Sequence, residues 1–280
     1  MTKLELDPIG VAVTPGEGDG FLHAVRELAE LGYSTIWLAG GPLKSLEQIR
    51  DVVDATNDVR VASGIISVDR FDRAAVAAAY AQIDAAHPGR FIVGLGGAHG
   101  PKPLQTLAGY LDALDTVPPT VPAAARVLAA LGPRMLQLAR DRSAGAYPFL
   151  VTPEYTAQAR SLLGDDSTLV VGQFVTVETD PEQARELARG SLRFLTARGG
   201  GYAANLRRMG FAEDEIAQLS DRLVDALVAW GDPEAVAARI AQHLRAGANQ
   251  VALSVLSTGP PGSLPVEQWR RLAPALIPGL

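Results

Sequence analysis

Residues 59–95 read VRVASGIISVDRFDRAAVAAAYAQIDAAHPGRFIVGL, and the change of period along this stretch decides the fold. Val59–Val68 is β-branched and strand-like, and Arg90–Leu95 is a second short apolar run of the same kind. Between them, Asp72–His87 is an alanine-rich helix with Asp72 placed to cap its first turn. Strand, helix and strand in this order form a unit of a parallel sheet.

The rhythm continues in both directions. Upstream, Ile9–Thr14 is a strand, and Asp19–Leu31 sets Phe21, Leu22, Val25, Leu28 and Ala29 on one helical face before the stop at Gly32. Ser34–Ala39 is the second strand, and Ser45 with Gln48 makes a capping-box pattern ahead of the next helix. Downstream, Leu104, Leu107, Leu111 and Leu114 mark a helix, and Arg126–Leu131 is the fifth strand, followed by a helix opening at Pro133. Gly145–Val151, Leu169–Val177 and Gln250–Leu256 are the last three strands, and Val266–Leu276 is a closing helix. Three helices open alike, with Thr152-Pro153-Glu154, Asp180-Pro181-Glu182 and Asp232-Pro233-Glu234. An N-cap acceptor, a proline in the first turn and an acid near the positive end of the dipole explain that pattern. Eight strands alternating with helices predict an α/β fold, a (β/α)8 TIM barrel forming a single domain over residues 1–280.

One stretch departs from the alternation. Residues from about 182 to 231 are expected to form an all-helical insertion between the seventh and eighth strands, at the barrel mouth. It comprises Ala184–Leu195, a Gly199-Gly200-Gly201 hinge, Tyr202–Met209 and a helix over Glu213–Trp230. The hinge is expected to let the insertion act as a mobile lid.

Composition limits the function classes. With 25 basic and 31 acidic residues the net charge is −6, the opposite of a nucleic-acid footprint. The absence of cysteine excludes disulfide scaffolds, thiolate metal sites and cysteine nucleophiles. No apolar run reaches membrane-spanning length, and the N-terminus MTKLELDP does not read as a signal peptide, so a cytoplasmic protein is expected. The expected partner is a small organic substrate, with neither nucleic acid nor membrane and with a homodimer left open.

A barrel carries its chemistry at the C-terminal ends of its strands. Only Lys3, Lys44 and Lys102 are present and none lies in a strand, which argues against Schiff-base chemistry. His23, His87, His99 and His243 are scattered without metal-ligand spacing. His99 alone stands on a mouth loop, and it is the candidate proton donor. Gly94-Leu95-Gly96-Gly97 serves either as a tight strand-end turn or as a place where a planar cofactor approaches the backbone. Leu131-Gly132-Pro133-Arg134-Met135 is the better anion site, because amides at the start of a helix bind phosphate without a motif lysine. Gly64 within its strand marks a bulge or a close approach, while Arg70 reads as a solvated loop charge.

Together, LGYSTIWLAG, HPGRF with the Gly-x-Gly that follows, and ALGPRML resemble the bacterial-luciferase-like flavin monooxygenase superfamily, in particular its coenzyme F420-dependent branch. The resemblance covers essentially the whole chain. It implies a barrel with the cofactor ring at the strand C-termini, a non-prolyl cis peptide in the third strand and a helical insertion after the seventh. It also implies an oxidoreductase using coenzyme F420, with FMN and a monooxygenase reaction as the alternative; a non-catalytic flavin-binding barrel is a third reading. The cofactor ring is then expected against Gly64, Ile65, Ile66 and Ser67, with Ser67 central. The phosphate would lie at Leu131, Gly132 and Arg134, and Gly96 and Gly97 would leave room between the two. The acid–histidine pair that many deazaflavin members carry after the second strand is missing, for that strand ends Ala39-Gly40-Gly41-Pro42.

Overall fold

The computed structural model describes residues 3–196, 201–259 and 263–277. Its first half runs β1 (Ile9–Val13), α1 (Asp19–Glu30), β2 (Thr35–Ala39), α2 (Glu47–Ala55), β3 (Arg60–Gly64) and β4 (Ile66–Ser67). There follow α3 (Arg73–Ala86), β5 (Phe91–Gly96), α4 (Pro103–Thr116), β6 (Arg126–Leu128), α5 (Pro133–Arg142), β7 (Gly145–Ala146), α6 (Pro153–Leu163) and β8 (Thr168–Thr176). The chain ends with α7 (Pro181–Thr196), α8 (Gly201–Arg208), α9 (Glu213–Gln218), α10 (Asp221–Leu227), β9 (Val228–Trp230), α11 (Pro233–Arg245), β10 (Gln250–Val255) and α12 (Val266–Leu276).

The strands pair in parallel in the order β10-β1-β2-β3-β5-β6-β7-β8, and β8 returns to β10, so the sheet closes into a TIM barrel. Partners in a parallel register share a face. Ala12, Trp37, Ala62 and Ile92 are linked in this way across four strands and face inward. With Val127, Tyr147, Val170 and Ala252 they form a small inner core, which Leu4 and Leu6 of the N-terminal segment meet from below. The alternate residues, among them Val11, Ile36, Leu38, Val61, Val93 and Leu253, belong to the larger core between sheet and helices. The three expected proline-type caps form, with Thr152, Asp180 and Asp232 accepting from the amides of Tyr155, Gln183 and Ala235. Asp72 likewise caps α3 by accepting from Ala74.

The structure corrects four expectations. The strand expected over Val59–Val68 is two strands, divided at the Gly64–Ile65 peptide, which is cis, so the break precedes Ser67 by two residues. Gly145–Val151 is mostly loop, because Leu150 takes a positive φ of 56° and only Gly145 and Ala146 keep the ladder, apart from one bridge between Phe149 and Gly172. Ser45 does not cap α2; the side chain of Gln48 reaches back to accept from the amides of Lys44 and Ser45. The insertion is not all helical. Its last expected helix breaks at Leu219, whose φ is 52°, restarts under a Ser220 cap and ends in β9. β9 pairs with Phe174–Thr176, the part of β8 that short β7 leaves open. Of the expected hinge, Gly199 and Gly200 lie outside the described residues, and Gly201 begins α8.

Candidate active site

The insertion lies over the C-terminal ends of the strands. Leu150, Phe174 and Leu256 from those ends share one apolar cluster with Ala188, Leu192, Leu206, Leu223 and Leu227 of α7, α8 and α10. A wider groove of about 690 Å³ opens at the opposite face, between Lys3–Asp7 and the starts of β2 and β3. That face of a barrel serves stability, so the site is sought at the mouth.

The floor of the mouth is aromatic. Tyr147 stacks on Trp37 with ring centroids 4.5 Å apart and an interplanar angle of 17°. The indole N–H of Trp37 donates to Gln250 Oε1 at 2.8 Å, and Gln250 Nε2 donates onward to the Asp7 carbonyl and to Thr35 Oγ1, which fixes the stack from beneath. The strands close tightly on it: a Cβ built on Gly64 would stand 3.1 Å from the Tyr147 ring, and one on Gly172 would stand 2.7 Å from Phe149 and 3.1 Å from the Tyr147 hydroxyl. No described residue hydrogen-bonds the Tyr147 hydroxyl, and burial, reinforced by the neighbouring Tyr202, pushes its pKa up, so the phenol keeps its proton at neutral pH. Tyr202 of α8 meets Phe149 edge-on, and Phe149 meets Phe174 in turn, which gives the mouth an apolar wall. Burial pushes the Tyr202 hydroxyl up to about 12.

Several backbone contacts shape the rim around the bulge. The Ile65 carbonyl lies so close to Gly40 that a Cβ there would be 1.5 Å from its oxygen, and the Gly40 amide donates to the Gly64 carbonyl at 3.1 Å. Ser63 Oγ donates to the Gly94 carbonyl at 2.9 Å and accepts from the Gly94 amide at 2.8 Å. Arg70 is not a solvated charge. Its guanidinium donates to the carbonyls of Gly40, Gly41 and Leu43 and clamps the loop after β2.

The expected ring contacts divide. Gly64 and Ile65 face the inner core, but Ile66 is fully buried in the helix-facing core and is turned away from the mouth. Ser67 is buried and donates to the Gly97 carbonyl at 3.3 Å. The space beside Gly96 is already filled, since a Cβ there would lie 2.7 Å from that of Ala129 and 3.2 Å from Ile65 Cδ1. Gly97, with φ 71°, makes the strand-end turn. The glycines at the end of β5 therefore serve packing and a turn. His99 stands on the rim with its side chain 82% exposed and Nδ1 3.2 Å from Asp69 Oδ2.

The loop after β6 leads into α5 with free backbone amides. The amides of Gly132 and Arg134 donate to no described residue, whereas Met135, expected to be free, donates to the Gly132 carbonyl at 3.0 Å. Leu131 is held from behind by the Tyr155 hydroxyl, which donates to its carbonyl at 2.7 Å. Arg134 is exposed and makes no ion pair among the described residues. The cation over this loop comes instead from the insertion: Arg208 Nη2 is 3.7 Å from the position of a Gly132 Cβ and donates to Asn205 Oδ1 at 3.0 Å. Free amides at a helix start and a guanidinium facing them suit a phosphate. Sequence reading missed Arg208, which lies 76 positions from Gly132 in a segment without a motif, and Tyr147, inside a strand expected for its backbone alone.

A closed barrel with an insertion over its mouth, an aromatic floor and free amides beside a guanidinium define the class as a TIM barrel with its candidate site at the strand C-termini. The chain belongs to the luciferase-like monooxygenase family, whose model matches residues 106–250, just over half of its length. No curated protein sequence matches it. Among solved structures it is similar to the coenzyme F420-dependent tetrahydromethanopterin reductase of Methanopyrus kandleri, at 16% identity and a TM-score of 0.76, over 98% of this chain and 99% of that one. It is also similar to an F420-dependent secondary alcohol dehydrogenase in complex with an F420-acetone adduct, at 14% identity and a TM-score of 0.75, over 97% and 99%. The oxygenating constituent of 3,6-diketocamphane monooxygenase from Pseudomonas putida, in complex with FMN, matches at 12% identity and a TM-score of 0.65, over 97% and 99%. These likenesses share the barrel fold. Among the described residues, no helix is long and apolar enough to cross a membrane.

Proposed function

We propose that this protein is a coenzyme F420-dependent oxidoreductase acting on a small organic substrate. The observation that carries the reading is the cradle at Gly132, where unpaired amides at the start of α5 face the guanidinium of Arg208. A deazaflavin and a flavin both present a phosphate and a flat tricyclic ring, and an aromatic floor of Trp37 and Tyr147 with an apolar wall of Phe149, Phe174 and Tyr202 suits either. The choice of F420 over FMN rests on the HPGRF and ALGPRML segments. Bound there, such a group supplies hydride donation or acceptance.

The chain's own residues have separate tasks in this reading. The amides of Gly132 and Arg134, with Arg208, hold the phosphate. The stacked Trp37 and Tyr147 support the ring from below, and Gly64 and Ile65 border it. Phe149, Phe174 and Tyr202 exclude water, which strengthens every polar contact inside. The Tyr147 hydroxyl, protonated and unpaired, is the proton-bearing group at the centre of the mouth. The rim histidine His99, mostly in solvent, is given no part in this chemistry.

Titrating the purified protein with F420 and with FMN tests the proposal. Saturable F420 binding that weakens in Arg208→Ala is the expected result. Tight FMN binding without F420 binding, together with oxygen uptake by the FMN-loaded and reduced protein, would replace it with the monooxygenase reading.

A further inference from the structure

Gly201, Asn205 and Arg208 follow one another on α8 at spacings of four and three residues, so they share a helix face. That face lies along the loop after β6. A Cβ on Gly201 would stand 3.9 Å from Leu131 Cδ1, and one on Gly132 would stand 3.7 Å from Arg208 Nη2. Asn205 is the unusual member of the three. It is 1% exposed, and a buried amide costs free energy unless its polar atoms are bonded. Oδ1 accepts from Arg208 Nη2 at 3.0 Å, whereas Nδ2 has the thioether of Met209, a weak acceptor, at 4.0 Å. The one strong side-chain bond of this buried amide among the described residues is therefore the bond that holds Arg208.

The neighbouring arginine is held differently. Arg207 pairs with both carboxylate oxygens of Glu213, which cancels its charge. Arg208 has no carboxylate partner among the described residues. A neutral amide fixes a guanidinium and leaves its charge available to an anion. Fixing it also matters, because Arg208 is exposed and a long side chain ordered beforehand loses less freedom on binding.

We infer that Asn205 is a positioning residue for anion binding: it holds the Arg208 guanidinium over the free amides of Gly132 and Arg134 without neutralising it. The inference rests on the reading of that loop as a phosphate site. Position and charge can be separated by substitution. Asn205→Asp keeps the acceptor oxygen and the shape but cancels the charge. Asn205→Leu keeps the bulk and the charge of Arg208 but removes the bond.

The full chain is titrated with inorganic phosphate by phosphorus NMR and with F420 by fluorescence, and melting curves confirm that each variant is folded. Asn205→Asp should weaken phosphate binding about tenfold or more, the effect of losing a charge-assisted contact. Asn205→Leu should weaken it about three- to tenfold, yet by less than about twofold in the Arg208→Ala background, where no guanidinium is left to hold. A structural role for Asn205 would give the same loss in both backgrounds, and that result would overturn the inference. So would wild-type phosphate affinity in either folded Asn205 variant. If Asn205→Asp does not fold, the paired measurement with Asn205→Leu decides alone. If Arg208→Ala weakens F420 binding and neither Asn205 variant does, the functional reading stands and the positioning role falls. If the phosphate pattern holds in a protein that binds no F420, the positioning role stands and the cofactor proposal falls.

Discussion

His243 should make this protein acid-sensitive, by an amount that can be worked out. The residue is on α11 and fully buried, with Nδ1 2.8 Å from Thr156 Oγ1 and with Nε2 lacking any partner among the described residues. Burial first, then the charge of Arg239, lowers its pKa from 6.5 to about 4, and Glu154 opposes this weakly. In the folded protein the ring therefore stays neutral as pH falls, while in the unfolded chain it takes up a proton near its ordinary pKa. The unfolded state binds more protons throughout that window, so stability drops progressively from about pH 6.5 and levels off below about pH 4. At pH 5 the loss amounts to about 2 kcal/mol from this one group. Urea unfolding of wild type and His243→Leu at pH 7 and pH 5 isolates the effect, because the carboxylates other than Glu154 contribute equally to both proteins. The pH-dependent loss should be smaller by about 2 kcal/mol in the variant, whatever its stability at pH 7. Equal losses in the two proteins would refute the reasoning.

Gly40→Ala places a Cβ 1.5 Å from the Ile65 carbonyl oxygen, a backbone atom that cannot swing aside. It should cost about 3 kcal/mol in urea unfolding, whereas alanine at neighbouring Gly41, where nothing lies within 4 Å, should be nearly neutral. Arg208→Ala should weaken binding of the phosphate-bearing cofactor about tenfold or more with little change in melting temperature, and the exposed Arg134→Ala should weaken it less. Gly132→Val should fold normally, since φ there is −90° and the nearest group is the Arg208 guanidinium, yet it should lose cofactor affinity in the same titration. Tyr147→Phe should retain cofactor affinity and change the pH profile of turnover, because it removes a proton-bearing group and keeps the stacked ring.

The barrel was legible because its signals are local. Caps such as Thr152-Pro153 and Asp232-Pro233 and the runs IGVAV and QVALSV state their periods within a few residues, and those elements form where expected. β9 was not legible, because Val228–Trp230 continues an amphipathic helix and becomes a strand only through the edge of β8 that β7 leaves vacant. The site was legible where it is backbone chemistry, as at Gly132, and illegible where it is assembled from distant side chains. Nothing near Arg208 in the sequence points to α5, and nothing near Arg70 points to the carbonyls after β2. The glycines at 94–97 were ambiguous for a physical reason: a missing side chain looks the same in sequence whether a ligand or the chain itself occupies the space. Here Ala129 and Ile65 occupy the space beside Gly96.

The departures from a regular barrel fall on one end of it. β3 breaks after Gly64, β7 ends after two residues, Leu150 takes a positive φ, and β9 docks on the last residues of β8, all at strand C-termini. Toward the other end the same strands keep their ladder, with Thr35 paired to Arg60, Gly145 to Thr168 and Gln250 to Val170. Regular pairing would carry inward side chains up to the rim and fill the barrel to the top. Breaking β3 and β7 instead brings Gly64 and Gly172 over a single aromatic pair and leaves the Tyr147 hydroxyl without a partner among the described residues. Beneath the floor the polar groups are satisfied, as Gln250 is under Trp37, whereas the Tyr147 hydroxyl at the mouth is left for a ligand to complete. That contrast between the two ends of one barrel is the physical argument for placing the chemistry at the mouth.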